Sequence, residues 1–157
     1  MAQTFFFWTP ADREPGHVFP AGNHGKVIRD YRHFTADATN GWKLAIEMVL
    51  ENVRLSQPKE LPSRLSSAFA FLSEADAKSR AFSNPASRLY EVELVDEAAP
   101  RHIADFDLYS TICKSEPSQA FLPKTELLAK DYWQGSGNGV KELLTLSDLR
   151  VVRRLYP

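Results

Sequence analysis

Near the C-terminal end a glycine-rich run, Gly135-Ser136-Gly137-Asn138-Gly139, leads through Val140 and Lys141 into Glu142-Leu143-Leu144. Such a loop is expected to be open and mobile, and its junction with an apolar strand is where a fold can present a side chain to a cleft. Glu142 is therefore either a solvated strand-end charge or the group that does the chemistry. A second segment, Pro62-Ser63-Arg64-Leu65-Ser66-Ser67, sets a guanidinium among serines just before an expected strand. Arg64 there could hold a carboxylate or phosphate with two parallel hydrogen bonds, the serines donating to the same ligand, or it could be a structural loop arginine.

The remaining reactive residue types carry less. His17, His24, His33 and His102 show no metal-ligand spacing and read as loop or surface histidines, so no metal is expected. The lone Cys113 excludes an internal disulfide and a cysteine-based zinc cluster, and reads as a plain, partly buried thiol. Gly22-Asn23-His24-Gly25-Lys26 lacks the spacing of a phosphate-binding loop and reads as a tight turn. Asp105 and Asp107 read as loop caps or surface charges, and Tyr132 and Trp133 as core at a helix end or as rings able to stack on a ligand.

The elements that must position these residues lie in one chain of 157 residues, 43% hydrophobic and 25% charged, the proportions of a single globular domain spanning 1–157. No apolar run is long enough to span a bilayer, and the aromatic start reads as a strand rather than a signal peptide, so a cytoplasmic protein is expected. With 19 Lys and Arg against 20 Asp and Glu, the net charge of -1 gives no global field for a polyanion. Any such partner must use a local patch, at Lys26 to His33 or at Arg150 to Arg154.

Residues 4–8 are strand-prone; 39–55 repeat apolar residues at helical spacing, with Lys43, Glu47, Glu51 and Arg54 on the polar face. Residues 66–72 read as a strand and 74–82 as a short helix capped by Ser73. Residues 88–95 alternate as a half-buried strand, 102–112 are ambiguous, and 124–135 read as a helix closed by Gly135. The last two runs, 141–146 and 149–155, read as a hairpin or near-hairpin about Ser147-Asp148. Strands and helices mix without a regular βαβ alternation, so the fold class is α+β.

Three stretches taken together, "PGHVFPAGNHGKVI", "AIEMVLENVRL" running into "LPSRLSSAFAF", and "LYEVEL" followed by "AKDYWQG" and "KELLTLSDLRVV", resemble a bacterial family of ADP-ribosyltransferase-like domains. The resemblance implies a split α+β fold in which two small sheets form a cleft for NAD, with peripheral helices. It also implies a late-strand glutamate, which falls on Glu142, and a second-strand serine motif, which falls on Ser66 and Ser67 beside Arg64. The His or Arg expected on the first strand falls near Trp8. Arg13, His17 or Arg32 could take its role, or Trp8 could stack on a ring, and the sequence does not choose.

On this resemblance Glu142 is the catalytic carboxylate, stabilising the positive charge that develops on the ribose as nicotinamide leaves. The implied activity is NAD-dependent mono-ADP-ribosyl transfer to a macromolecule by a toxin or phage-defence effector, with no metal and with an antitoxin as a further partner. An NAD glycohydrolase, or a non-catalytic nucleotide- or protein-binding module on the same fold, are the alternatives. Val140, two residues before Glu142, stands where protein-modifying relatives carry an acidic or amide residue. With Arg150 and Arg154 on the last strand and Arg32 in the other basic stretch, RNA or single-stranded DNA is the expected acceptor, ahead of protein.

Overall fold

The computed structural model describes residues 3–32, 38–80, 84–114 and 116–156. His33, and the end of the helix expected over 74–82, lie outside the described residues. The described residues form an α+β fold, its strands β1 (Thr4–Thr9), β2 (Val18–Phe19), β3 (Ala68–Phe71), β4 (Arg88–Leu94), β5 (Arg101–Asp105), β6 (Lys141–Thr145) and β7 (Leu149–Tyr156). The helices are α1 (Asn23–Arg29), α2 (Ala38–Leu55), α3 (Glu74–Ser79), α4 (Phe106–Cys113) and α5 (Phe121–Trp133).

The strands lie in the order β2-β7-β4-β1-β3-β6-β5, in one antiparallel sheet where two small sheets were expected. The join is narrow. β1 pairs with β4 from Thr4 opposite Glu93 to Thr9 opposite Arg88, yet meets β3 only at Phe6 opposite Phe71. Beyond that pair β1 and β3 diverge, and the larger cleft described below is lined from both strands.

Side chains alternate across the sheet as the pleat requires. One face carries Phe5, Ala68, Ala70, Tyr90, Val92, Leu143, Leu149 and Val151 as a core. On the other face α2, α4 and α5 cover β5 and β6, with Ile46, Leu50, Val53, Ile112, Ala129, Tyr132, Trp133 and Leu144 packed together. Trp133 fixes α5 to α2 by donating its Nε1 hydrogen to the Leu50 carbonyl at 2.7 Å.

The hairpin expected at the C-terminal end is not formed. β6 pairs with β3 and β5, whereas β7 pairs with β4 and β2, so the two strands sit on opposite sides of the narrow join. Their short connection is held elsewhere: the Leu146 amide donates to Pro100, the Val95 amide to Asp148, and the Asp96 amide to the Ser147 hydroxyl. These contacts carry the chain across the sheet end in place of a two-strand turn.

The expected turn at Gly22 to Lys26 is the start of α1. Gly22 takes φ +82 at its N-cap, and its amide donates to Ser67 at 3.1 Å. Gly25 lets α1 press against the loop before β3, since a Cβ there would stand 1.7 Å from the Leu65 carbonyl oxygen. Gly25→Ala should push α1 off that loop and cost about 1–3 kcal/mol of stability. Urea unfolding measures it, and an unchanged midpoint would show that the close packing is not needed.

Candidate functional site

A buried arginine lies at the centre of the helical side of the sheet. Arg64 is 3% exposed, and its guanidinium stands 3.9 Å over the Tyr109 ring and 4.7 Å over the Phe69 ring. A charge so placed must be matched by opposite charge and by hydrogen bonds. Glu47 on α2 supplies most of both: Arg64 Nε donates to its two carboxylate oxygens at 3.0 and 3.3 Å, and Nη2 donates at 3.2 Å. Nη1 donates to Glu142 Oε1 on β6 at 3.3 Å and to the Tyr132 hydroxyl, which itself donates to Glu142 Oε1 at 2.8 Å.

Glu47 has two further donors. Tyr109 donates its hydroxyl at 3.2 Å, and His24 of α1 bonds Oε1 through Nε2 at 2.8 Å. Burial alone would raise the Glu47 pKa, but the guanidinium and His24 overcome it and bring the group from 4.5 to about 2. Glu142 goes the other way: burial raises its pKa, Glu47 adds to the rise, and its bonds to Arg64 and Tyr132 only partly offset it. The same pocket holds a carboxylate strongly committed to its charge and one whose charge is costly.

Two cavities adjoin this network. A small one of about 90 Å³ is lined by Glu142, Phe6, Trp8, Phe71 and Phe106, among others. A larger cleft of about 680 Å³ lies where β1 and β3 diverge, within the range of small-molecule sites. Arg13, His17, His24, Lys43, Ser67 and Tyr109 line the cleft, and among the described residues its wall includes no aspartate or glutamate. Phe7 and Phe69 line both cavities.

The sequence-derived candidates separate on this frame. Glu142 is 5% exposed and paired on both strand edges, with Phe71 and with Ala104, so it is not a solvated strand-end charge. The loop before it is not open either: Asp105 accepts from the Gly139 amide at 2.7 Å, and Asp107 accepts from the Val140 amide at 3.2 Å while gripping Arg80. Gly137, at φ +97, would carry a Cβ 2.3 Å from the Asp105 carboxylate, which is why that latch closes over a glycine.

Arg64 faces Glu47, Tyr132 and Glu142 instead of lining either cavity. Ser67 reaches the cleft wall while its hydroxyl donates to the Ser63 carbonyl at 2.8 Å; Ser66 is exposed and outside the cleft lining. Arg13 and His17 line the cleft, His17 edge-on to Phe19. Trp8 lines the small cavity and donates its Nε1 hydrogen to Ala77 at 2.8 Å. Arg32 is exposed and lies outside both.

The last strand is not a free basic track. Arg150 pairs with Glu93, Arg153 with Glu91 and Arg154 with Asp12. Simple alternation would put Arg150 and Arg154 on one face. A register shift between Glu91 and Val92 instead sets Arg150 opposite Glu93 and Arg153 opposite Glu91, on one face of β4, with Arg154 opposite Tyr90.

His24, Glu47, Lys43 and Tyr109 were missed as site residues. Glu47 was assigned to the polar face of α2, yet it is 1% exposed; its signal was its position beside the apolar stripe, next to Ile46. Among the described residues, no group of three or more His, Cys, Asp or Glu could hold a metal ion, and no helix is long and apolar enough to cross a membrane. A family model described as "Protein of unknown function (DUF2441)" matches residues 23–155. No curated protein matches the chain.

Arg64→Ala would leave Glu47 and Glu142 buried without their cation, so a loss of about 3–5 kcal/mol is expected in urea unfolding. A loss under about 1 kcal/mol would show that the pairing is dispensable. Acid should have its own signature. Because the Glu47 pKa is lower in the folded chain, its contribution is full above pH 4.5 and is lost as pH falls from there through about 2. In Glu47→Gln that portion of the acid-induced loss should disappear, which paired acid titrations followed by circular dichroism would measure.

Proposed function

The chain belongs to the DUF2441 family, and from its site we propose that it is an NAD-dependent ADP-ribosyltransferase that binds the dinucleotide in the cleft and uses Glu142 as its catalytic carboxylate. The observation that carries this reading is the place of Glu142: a buried carboxylate beside the β1–β3 divergence, sharing the aromatic walls Phe7 and Phe69 with a cleft that, among the described residues, is free of acids. On this reading the narrow join at Phe6 and Phe71 is the remnant contact of a split fold, the two halves of the sheet standing for its two small sheets.

The cleft residues fit a dinucleotide by their chemistry. Arg13 and Lys43 have no carboxylate partner among the described residues and are available to a pyrophosphate. Phe7, Phe19, Phe69 and Tyr109 offer ring faces and edges for a base or a nicotinamide. Trp8 contributes to the aromatic wall around Glu142, in the first-strand position.

NAD supplies a glycosidic bond to a leaving group that is already cationic. This chain's part is to hold a negative charge beside the ribose where positive charge develops, and to keep water from screening it. Tyr132 and Arg64 fix the Glu142 carboxylate, so no side-chain reorganisation is needed when charge forms. Burial raises its pKa, so its charge is costly when unopposed, and a cationic sugar facing it would favour the ionised form.

The acceptor we propose is a macromolecule. The ion pairs along β7 leave the last strand without a free basic track beside the cleft, so nucleic acid has no particular advantage over protein. The test is incubation with nicotinamide-labelled NAD, alone and with RNA, single-stranded DNA or cell protein. Nicotinamide release that requires an acceptor supports transfer, release without one indicates a glycohydrolase, and no release overturns the enzymatic reading.

Glu142→Gln keeps the acceptor oxygen for Tyr132 and removes a charge that burial disfavours. Turnover should fall about 100-fold or more, while the thermal midpoint stays equal to or above that of the parent. Near-normal turnover in this variant would remove Glu142 from the chemistry.

A further inference from the structure

Between the cleft and the buried arginine stands one imidazole with a fixed orientation. His24 lines the cleft, its side chain is 29% exposed, and its Nε2 meets Glu47 Oε1 at 2.8 Å. Its ring stands edge-on to Phe69 at 5.6 Å, and the close approach at Gly25 seats the helix that carries it. Glu47 is in turn held by Arg64 and Tyr109, so the carboxylate that orients the imidazole cannot swing away.

A carboxylate accepting from Nε2–H places a proton on that nitrogen, and in the neutral imidazole this leaves the Nδ1 lone pair free. Among the described residues Nδ1 has no hydrogen-bond partner. An oriented base with an open nitrogen beside a ligand cleft is the arrangement used to activate a nucleophile. We propose that His24 is the general base of this site, taking the proton from an oxygen nucleophile, a hydroxyl or a water, that enters the cleft.

This proposal rests on the transferase reading and specifies the chemistry of its acceptor. As the acceptor oxygen bonds to the ribose carbon, its proton passes to Nδ1; the bond to nicotinamide breaks with its electron pair kept by the ring nitrogen, and His24 returns the proton to solvent. Among the described residues, the charged and titratable groups around the imidazole are Glu47 and Lys43 of α2, Arg64 before β3, Tyr109 of α4, and Arg13 and His17 on the cleft wall. Glu47 is the carboxylate among them, which gives it alone the role of orienting partner.

Two measurements test the proposal. Nitrogen NMR of the imidazoles in the free protein, with His24 assigned from the spectrum of His24→Gln, should show the neutral His24 ring with its proton on Nε2 and none on Nδ1. A neutral His24 ring protonated on Nδ1 instead overturns the proposal, whatever the activity. In kinetics, His24→Gln should lower kcat about 100-fold with the KM for NAD little changed, and added imidazole should restore part of the loss in His24→Ala. If the parent turns over NAD and His24→Gln matches it, the base is elsewhere and the transferase reading stands. If the parent releases no nicotinamide under any condition, the transferase reading fails and this assignment fails with it.

Discussion

A guanidinium buried at 3% exposure dictates much of what surrounds it. Arg64 stays ionised, so the fold must bring carboxylates to it, and they come from distant parts of the chain: Glu47 from the longest helix and Glu142 from β6. Tyr132 bridges cation and anion, and the rings of Tyr109 and Phe69 close over the guanidinium. Isolated, such a group would cost far more than a marginally stable domain can offset; with this set of partners it becomes the point where α2, α4, α5, β3 and β6 are held in register.

From that point the arrangement extends in two directions. Through Glu47 it reaches His24 and the larger cleft; through Glu142 it reaches the small aromatic cavity beside Trp8. The narrow join of the sheet makes both possible, because β1 and β3 part after Phe6 and Phe71 and leave room between the two halves. A site built this way has rigid charges and a soft wall, since the polar groups are fixed by hydrogen bonds while the surrounding surfaces are largely aromatic.

How much of this could be read from the sequence depended on whether the signal was local. The periodicity of α2, the alternation of β4 and the cap at Ser73 are local, and the structure has each where it was expected. The α+β class followed from the same evidence. Long-range pairing left no such trace: β6 and β7 looked like a hairpin because they are adjacent, and only the packing shows them on opposite sides of the join. Position 47 looked polar and exposed because periodicity sorts residues by side, not by what meets that side. Glu142 and Arg64 were singled out by residue type and setting, but their contact spans the chain from 64 to 142 and could not be seen in either segment alone. Local helix-forming tendency at Asn23 to Arg29 was hidden by two glycines, Gly22 for its positive φ at the N-cap and Gly25 for its close approach to Leu65.

If Arg64 is truly shared, Glu47 and Glu142 act as one unit, and a double-mutant cycle on stability measures this most directly. Urea unfolding of the parent, Glu47→Gln, Glu142→Gln and the double variant gives the coupling between the two carboxylates. With either one present the guanidinium keeps a counter-charge, and with both gone it has none. The double variant should therefore be less stable than the sum of the single changes by about 0.5–3 kcal/mol. Additivity within about 0.3–0.5 kcal/mol would contradict the account, because it would mean that the two carboxylates do not depend on the same arginine.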